Sequence, residues 1–283
     1  MQNYSSFVIP HSAFGGVMPK IQTNGIEIYY ETHGSGAPLV LISGLGYPLW
    51  QWHKMVPFLA EKFQVITFDN RGVGQSDKPA GPYTASMLAT DVTGLLDALG
   101  IEKTVIMGHS MGGFIAQAFA LEYPGRVNKL VLCSTNFGGP HHIPITAEAM
   151  AVLSDIKSDP VTRFKNGLAV STAPGYAENN PEMIQQWLEW RIANPIDVAG
   201  YQAQMAIGLG LLAEAASFEH KLKQISVPTL ILFGAHDKVV PPGNADLMAG
   251  KIQGAKVEIF PDAGHFFPIE IPQAAAKAVI QFV

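Results

Sequence analysis

The chain has 283 residues, of which 48% are hydrophobic and only 14% charged, with a formal net charge of −5. That length and apolar share imply a globular domain with a sizeable core, and they exclude a disordered or fibrous chain. The acidic balance, without a Lys/Arg cluster, excludes a nucleic-acid surface and polyanionic partners.

Residues 1–18 contain no Lys or Arg, and no signal-like apolar core follows, so they read as an N-terminal arm or tail and the expected location is cytoplasmic. Strand-like runs follow at 26–30, 39–42, 64–68, 104–107, 128–133, 229–233 and 256–260. Between them, helical periodicity covers 50–61, 86–99, 113–123, 244–251 and 271–282. Alternating strands and helices predict an α/β fold, a mostly parallel sheet covered on both faces, with reactive groups on loops at the carboxyl ends of the strands. The stretch 104–121 lacks Asp, Glu, Lys and Arg and has transmembrane length, but glycines interrupt it at a turn. It reads as strand, turn and helix, and no membrane partner is expected.

From 138 to 222 the alternation stops, leaving proline-punctuated helical segments at 144–157, 160–170, 181–194 and 197–212. Their Met, Trp and Leu content predicts a helical lid over the strand ends. The expected division is a core at 19–137 and 223–283 with the lid at 138–222. The single Cys133, at a strand end, reads as a buried small hydrophobe.

Gly108-His109-Ser110-Met111-Gly112-Gly113 sits between the run ending at Met107 and a small-residue helix. A serine on so tight a strand-to-helix turn presents its hydroxyl above the sheet, and glycines on both sides make room for the turn. The hydroxyl becomes a nucleophile only if a base reaches it; Asp237 and His265 follow in the order Ser, Asp, His. Asp262 and Asp69, the latter in the turn Asp69-Asn70-Arg71-Gly72, are rival acids, of which Asp262, three residues back on the loop of His265, would more naturally support that loop. His109 and His236 lie beside these positions without needing to face a pocket. His141-His142 reads as a solvated loop, since no further ligand stands nearby for a metal. Gly44-Leu45-Gly46 is too short for a dinucleotide fingerprint, so neither a metal nor any other cofactor is implied.

From about Ile21 to Val283 the chain resembles the lidded serine branch of the α/β-hydrolases. The resemblance rests on the Ser110 turn, Phe68-Asp69-Asn70-Arg71-Gly72-Val73-Gly74-Gln75-Ser76, Gly234-Ala235-His236-Asp237 and Ala263-Gly264-His265. It implies the α/β-hydrolase fold, with the helical lid inserted after the sixth core strand. Ser110 would be the nucleophile, His265 the base and Asp237 the acid that orients it. The backbone N–H groups of Met111 and Leu45 would form the oxyanion hole. Ser43 stands where the family often has histidine, which removes one support of that loop. Gly44, Phe137, Trp187, Trp190, Met205 and Phe266 are the candidate substrate-binding residues.

Ser110 excludes the branches that use an aspartate nucleophile. The Asp-Asn-Arg-Gly turn with the Met-Gly-Gly elbow looks most like the carboxylesterase, methylesterase and 3-oxoadipate enol-lactonase group. The expected partner is a small or medium apolar ester or lactone, cleaved through an acyl-enzyme by a monomer or homodimer. Serine carbon–carbon hydrolases and cofactor-free haloperoxidases share the same three residues, and so do small-molecule receptors of this fold. Gly112-Gly113 looks more like the elbow of an enzyme. The Asp-Asn-Arg-Gly turn is expected to be structural, so that Asn70→Ala spares most activity.

Overall fold

The computed structural model describes residues 19–283, so the expected N-terminal arm at 1–18 lies outside the described residues. Among the described residues three strands come first, and strands then alternate with helices: β1 (Lys20–Thr23), β2 (Ile26–His33), β3 (Ala37–Ile42), α1 (Val56–Leu59), β4 (Phe63–Phe68), α2 (Ala85–Ala98), β5 (Thr104–His109), α3 (Met111–Glu122) and β6 (Val127–Cys133). Then come α4 (Ala147–Leu153), α5 (Pro160–Ser171), α6 (Tyr176–Asn179), α7 (Pro181–Ala193) and α8 (Val198–Gly210). The chain closes with β7 (Thr229–Gly234), α9 (Asn244–Ala249), β8 (Lys256–Phe260), α10 (Phe267–Glu270) and α11 (Pro272–Phe282).

The strands form one sheet in the order β1-β2-β4-β3-β5-β6-β7-β8. The first two pairings are antiparallel and every later one is parallel. The period of two explains why the central strands read as unbroken apolar runs. Val40, Ile42, Ile106, Leu130 and Leu132 pack under α2, α3 and α9, whereas Leu39, Leu41, Val105, Met107 and Val131 pack on α1 and α11. Cys133 belongs to the second layer and is fully buried, and burial pushes its thiol well up.

Two sequence expectations need correction. The run 50–61 is not one helix: a 3₁₀ turn at Leu49–Trp52 is followed by the single-turn α1. Pro57 has no N–H to continue a helix running in from residue 53. In addition, β1 precedes the first strand expected, joined to β2 by Asn24-Gly25, both at positive φ, the tight hairpin such a pair favours. With β1 included, β6 is the sixth strand, and the helical segment α4–α8 lies between it and β7. Among the described residues no helix is long and apolar enough to cross a membrane.

Candidate active site

The strand β5 ends at His109, and Ser110 follows at φ 56°, ψ −119°, a conformation a non-glycine residue holds only when its surroundings enforce it. Such strain costs about 1–3 kcal/mol. Here the Ser110 N–H is held by the Cys133 carbonyl at 2.9 Å, and its carbonyl accepts from Gly113 at 2.8 Å. A Cβ on Gly112 would collide with the Ile42 carbonyl, and one on Gly108 with that of Gly112, so only glycine lets strand and helix approach this closely. The Ser110 side chain does not cap α3, which leaves the hydroxyl available above the sheet.

Asp237 follows β7 and His265 follows β8, and the structure brings them together: His265 Nδ1 lies 2.8 Å from Asp237 Oδ2, with both residues buried. The other oxygen of Asp237 accepts from the N–H groups of Val239 (2.9 Å) and Val240 (2.8 Å). His109, the neighbour of Ser110, reaches the His265 carbonyl oxygen at 2.8 Å and lies ring against ring with it, centroids 4.7 Å apart. The His265 loop is thereby fixed beside the Ser110 turn. The rivals stand elsewhere: Asp69 accepts from Leu49 and Gln75 and is pushed up to about 6 by burial, and Asp262 is exposed, as is His236.

The loop after β3 approaches Ser110 because Gly44 has no side chain; a Cβ there would press on Ser110 Cβ and His109 Nδ1, each at 3.3 Å. Side chains from distant segments hold the backbone groups around Leu45. Asn70 donates to the Ser43 carbonyl (3.1 Å), Gln51 accepts from Gly44 (2.9 Å), Gln204 accepts from Gly46 (2.9 Å), and Arg191 donates to the Gly46 carbonyl (3.1 Å). Among the described residues, none accepts from the N–H of Leu45 or of Met111. These four side chains hold the loop that begins at Ser43. Asn70 is one of these supports, a structural role for its turn through the Ser43 carbonyl.

Ser110 and Met111 open into a cavity of about 210 Å³, lined also by Leu45, Phe114, Met205 and Val240. Of the expected substrate-binding residues, Met205 is in this lining and Gly44 lies against Ser110, whereas four aromatics are placed differently. Phe137 is fully buried in the core below the Lys251 ammonium; Trp187 packs on Phe164, Leu168 and Ile269. Trp190 lies on Trp50 and His53, and Phe266 on Tyr47 and His109. Large aromatic rings fill the gaps between layers, and composition does not tell which rings face a cavity. His142, expected in a solvated loop, lines the cavity instead, its Nδ1 donating to the Gly139 carbonyl at 2.6 Å.

Sequence reasoning also passed over Arg191. Only 8% exposed, it lies over the rings of Tyr47 (4.8 Å) and Trp50 (5.4 Å) and lines a second chamber of about 150 Å³. Leu45 and Leu153 line both chambers. Among the described residues no carboxylate pairs with Arg191, an uncommon state for a buried charge, which costs several kcal/mol unless compensated.

Glu270 joins the His265 loop to the helical segment, accepting from Gly264 (3.0 Å) and from Ala173 (2.7 Å). Burial pushes its carboxyl from 4.5 up to about 7, against the pull of those N–H groups. Between those values the fold keeps a proton that the unfolded chain releases. Its stabilising contribution is therefore full below the unfolded value and declines as the pH rises from 4.5 towards 7. Accordingly, melting curves should show a smaller loss of Tm from about pH 5 to about pH 8 in Glu270→Gln than in the unmodified chain. Equal losses would contradict that assignment.

A profile of the family described as alpha/beta hydrolase fold matches residues 37–272. The chain is 31% identical over 260 residues to 3-oxoadipate enol-lactonase 2 of Acinetobacter baylyi, covering 90% of this chain and 92% of that one. It is 30% identical to a 2-hydroxy-6-oxononadienedioate/2-hydroxy-6-oxononatrienedioate hydrolase of Paraburkholderia xenovorans, covering 91% of each. Among solved structures, an enol-lactonase from Burkholderia xenovorans superposes with a TM-score of 0.79 at 29% identity, over 93% of this chain and 99% of that one. Est816, described as an N-acyl homoserine lactone degrading enzyme, superposes with a TM-score of 0.79 at 30% identity, over 94% and 100%.

Proposed function

The chain belongs to the α/β-hydrolase fold family of hydrolases, and from that premise we propose that it cleaves small carboxylic esters or lactones through an acyl-enzyme on Ser110. The observation that carries this reading is the bonded Asp237–His265 pair, fixed through His109 beside the Ser110 elbow. With Asp237 holding Nδ1, His265 Nε2 takes the Ser110 proton as Oγ attacks the carbonyl carbon. Charge developing on the carbonyl oxygen meets the uncommitted N–H groups of Leu45 and Met111, the latter at the start of α3 where the helix dipole also favours an anion. His265 then delivers the proton to the leaving alkoxide, and water attacks the acyl-enzyme by the same steps in reverse.

The segment 138–222 acts as a lid and sets acyl and alcohol preference, since Met150, Leu153, Met205, Leu209 and Leu212 line the cavity above Ser110. The buried, carboxylate-free Arg191 supports a substrate that carries its own carboxylate on the side of Leu45 away from the apolar cavity. The names of two relatives, an oxoadipate lactonase and a dioate hydrolase, are in keeping with this.

The test is steady-state hydrolysis of an aryl ester and of a lactone. Many turnovers of both are expected, whereas a receptor would release at most one product per chain. For Arg191→Met, KM for a carboxylate-bearing ester should rise by about tenfold or more, with little change for its neutral methyl ester. Equal changes for the two would remove the carboxylate from the reading.

A further inference from the structure

Behind the elbow lies a second polar network in which every side chain is buried: Gln51 and His109 fully, His265 nearly so. The period of two along β5 accounts for the position of His109, because Val105, Met107 and then His109 face the α1–α11 side of the sheet. On that side the 3₁₀ turn supplies Gln51 and Trp52, and Trp52 packs edge-on to the His109 ring.

Three contacts run through the network. The Gly44 N–H donates to Gln51 Oε1 (2.9 Å), Gln51 Nε2 meets His109 Nδ1 (2.8 Å), and His109 Nε2 meets the His265 carbonyl oxygen (2.8 Å). The two ends fix the middle. A backbone N–H only donates, so the oxygen of the Gln51 amide must face Gly44. A carbonyl only accepts, so His109 carries its proton on Nε2. Nδ1 is then bare, and the amide nitrogen of Gln51 donates to it. A protonated ring would set two donors against each other at Gln51. Burial, and the nearby His265, hold His109 well below its ordinary value, which keeps the ring neutral.

We infer that Gln51 and His109 are positioning residues, linked in a one-way hydrogen-bond chain that ties the loop bearing Leu45 to the backbone of His265. The chain holds the oxyanion donor and the base in one register on either side of Ser110. It rests on the reading of Ser110, Leu45 and His265 given above. Neither side chain touches substrate; each acts on groups that do. Small displacements matter there, because the donors must meet the position of the oxyanion rather than that of the resting carbonyl.

The experiment compares kcat and KM for one aryl ester across Gln51→Met, His109→Phe and the double variant. Methionine keeps the length of Gln51 without either bond, and phenylalanine keeps the ring packing. Each single change should lower kcat by about tenfold or more with KM within about twofold. The double should be no slower than the slower single, since one broken link already uncouples the chain. Gln51→Glu should regain part of kcat, because a neutral carboxyl offers one acceptor and one donor in the places of the amide.

If an apolar variant does not fold, Gln51→Glu decides alone. The ratio of its kcat to that of the unmodified chain should fall as the pH rises and the carboxyl loses its donor proton, and a constant ratio overturns the inference. It is also overturned by a folded Gln51→Met with unchanged kcat, by losses confined to KM, or by losses that multiply in the double variant. Ser110→Ala separates the two readings. If Ser110→Ala is inactive while Gln51→Met is as fast as the unmodified chain, only the positioning chain fails. If Ser110→Ala keeps its turnover, both readings fail together.

Discussion

Ser110→Ala should lower kcat for ester hydrolysis by about a millionfold, with KM little changed. The side chain accepts no N–H of α3 as a cap, and the strain at φ 56° is set by the backbone and its glycine neighbours, so the variant keeps the elbow while losing the hydroxyl of the proposed nucleophile. What remains is the contribution of the Leu45 and Met111 donors and of binding, about a thousandfold over water. Steady-state kinetics on freshly purified variant, with the elbow's integrity followed by thermal unfolding, measures this. Activity within about tenfold of the unmodified chain would place the chemistry elsewhere.

Asp237→Asn carries the second large effect, about ten-thousandfold in kcat, and the hydrogen bonds give its cause. One oxygen of Asp237 accepts from two backbone N–H groups, Val239 and Val240, while the other faces His265 Nδ1. In asparagine the single oxygen must stay with the two N–H donors, so the amide nitrogen turns to the ring. His265 then has to present a bare Nδ1 and carry its proton on Nε2, where it cannot accept one from serine. The stability of the loop should survive and the rate should not. A variant retaining more than about a tenth of the activity would pass the orienting role to another carboxylate, Glu270 being the nearby candidate.

The parts of the site legible in the sequence are those written in contiguous motifs. The elbow needs glycines within three residues of Ser110, and Asp237 and His265 each follow a strand that periodicity reveals. The loop after β3 is legible from its strand, whereas Leu45 within it is assigned by the resemblance alone. Gln51, Gln204 and Arg191 escaped notice because each reaches the loop from its own segment, 7, 158 and 145 residues from its backbone partner. No local pattern marks a glutamine whose role is to accept one N–H, nor an arginine that lies over two rings and donates to a loop carbonyl. The aromatic residues show the opposite difficulty. Phe137 and Trp187 stand in segments near the cavity, but a side chain's direction follows from tertiary packing, and both rings point into cores. The hairpin at Asn24-Gly25 was written in the sequence, and only the brevity of β1 hid it.

In the proposed mechanism the acyl group is carried covalently on Ser110. Intact-mass and peptide mass spectrometry of the chain, acid-quenched during turnover of a slowly deacylating aryl ester, tests it directly. One acyl group per chain on the peptide containing Ser110, absent from Ser110→Ala, is the result predicted. Continued turnover with no adduct, or with the acyl group on a different residue, would contradict it.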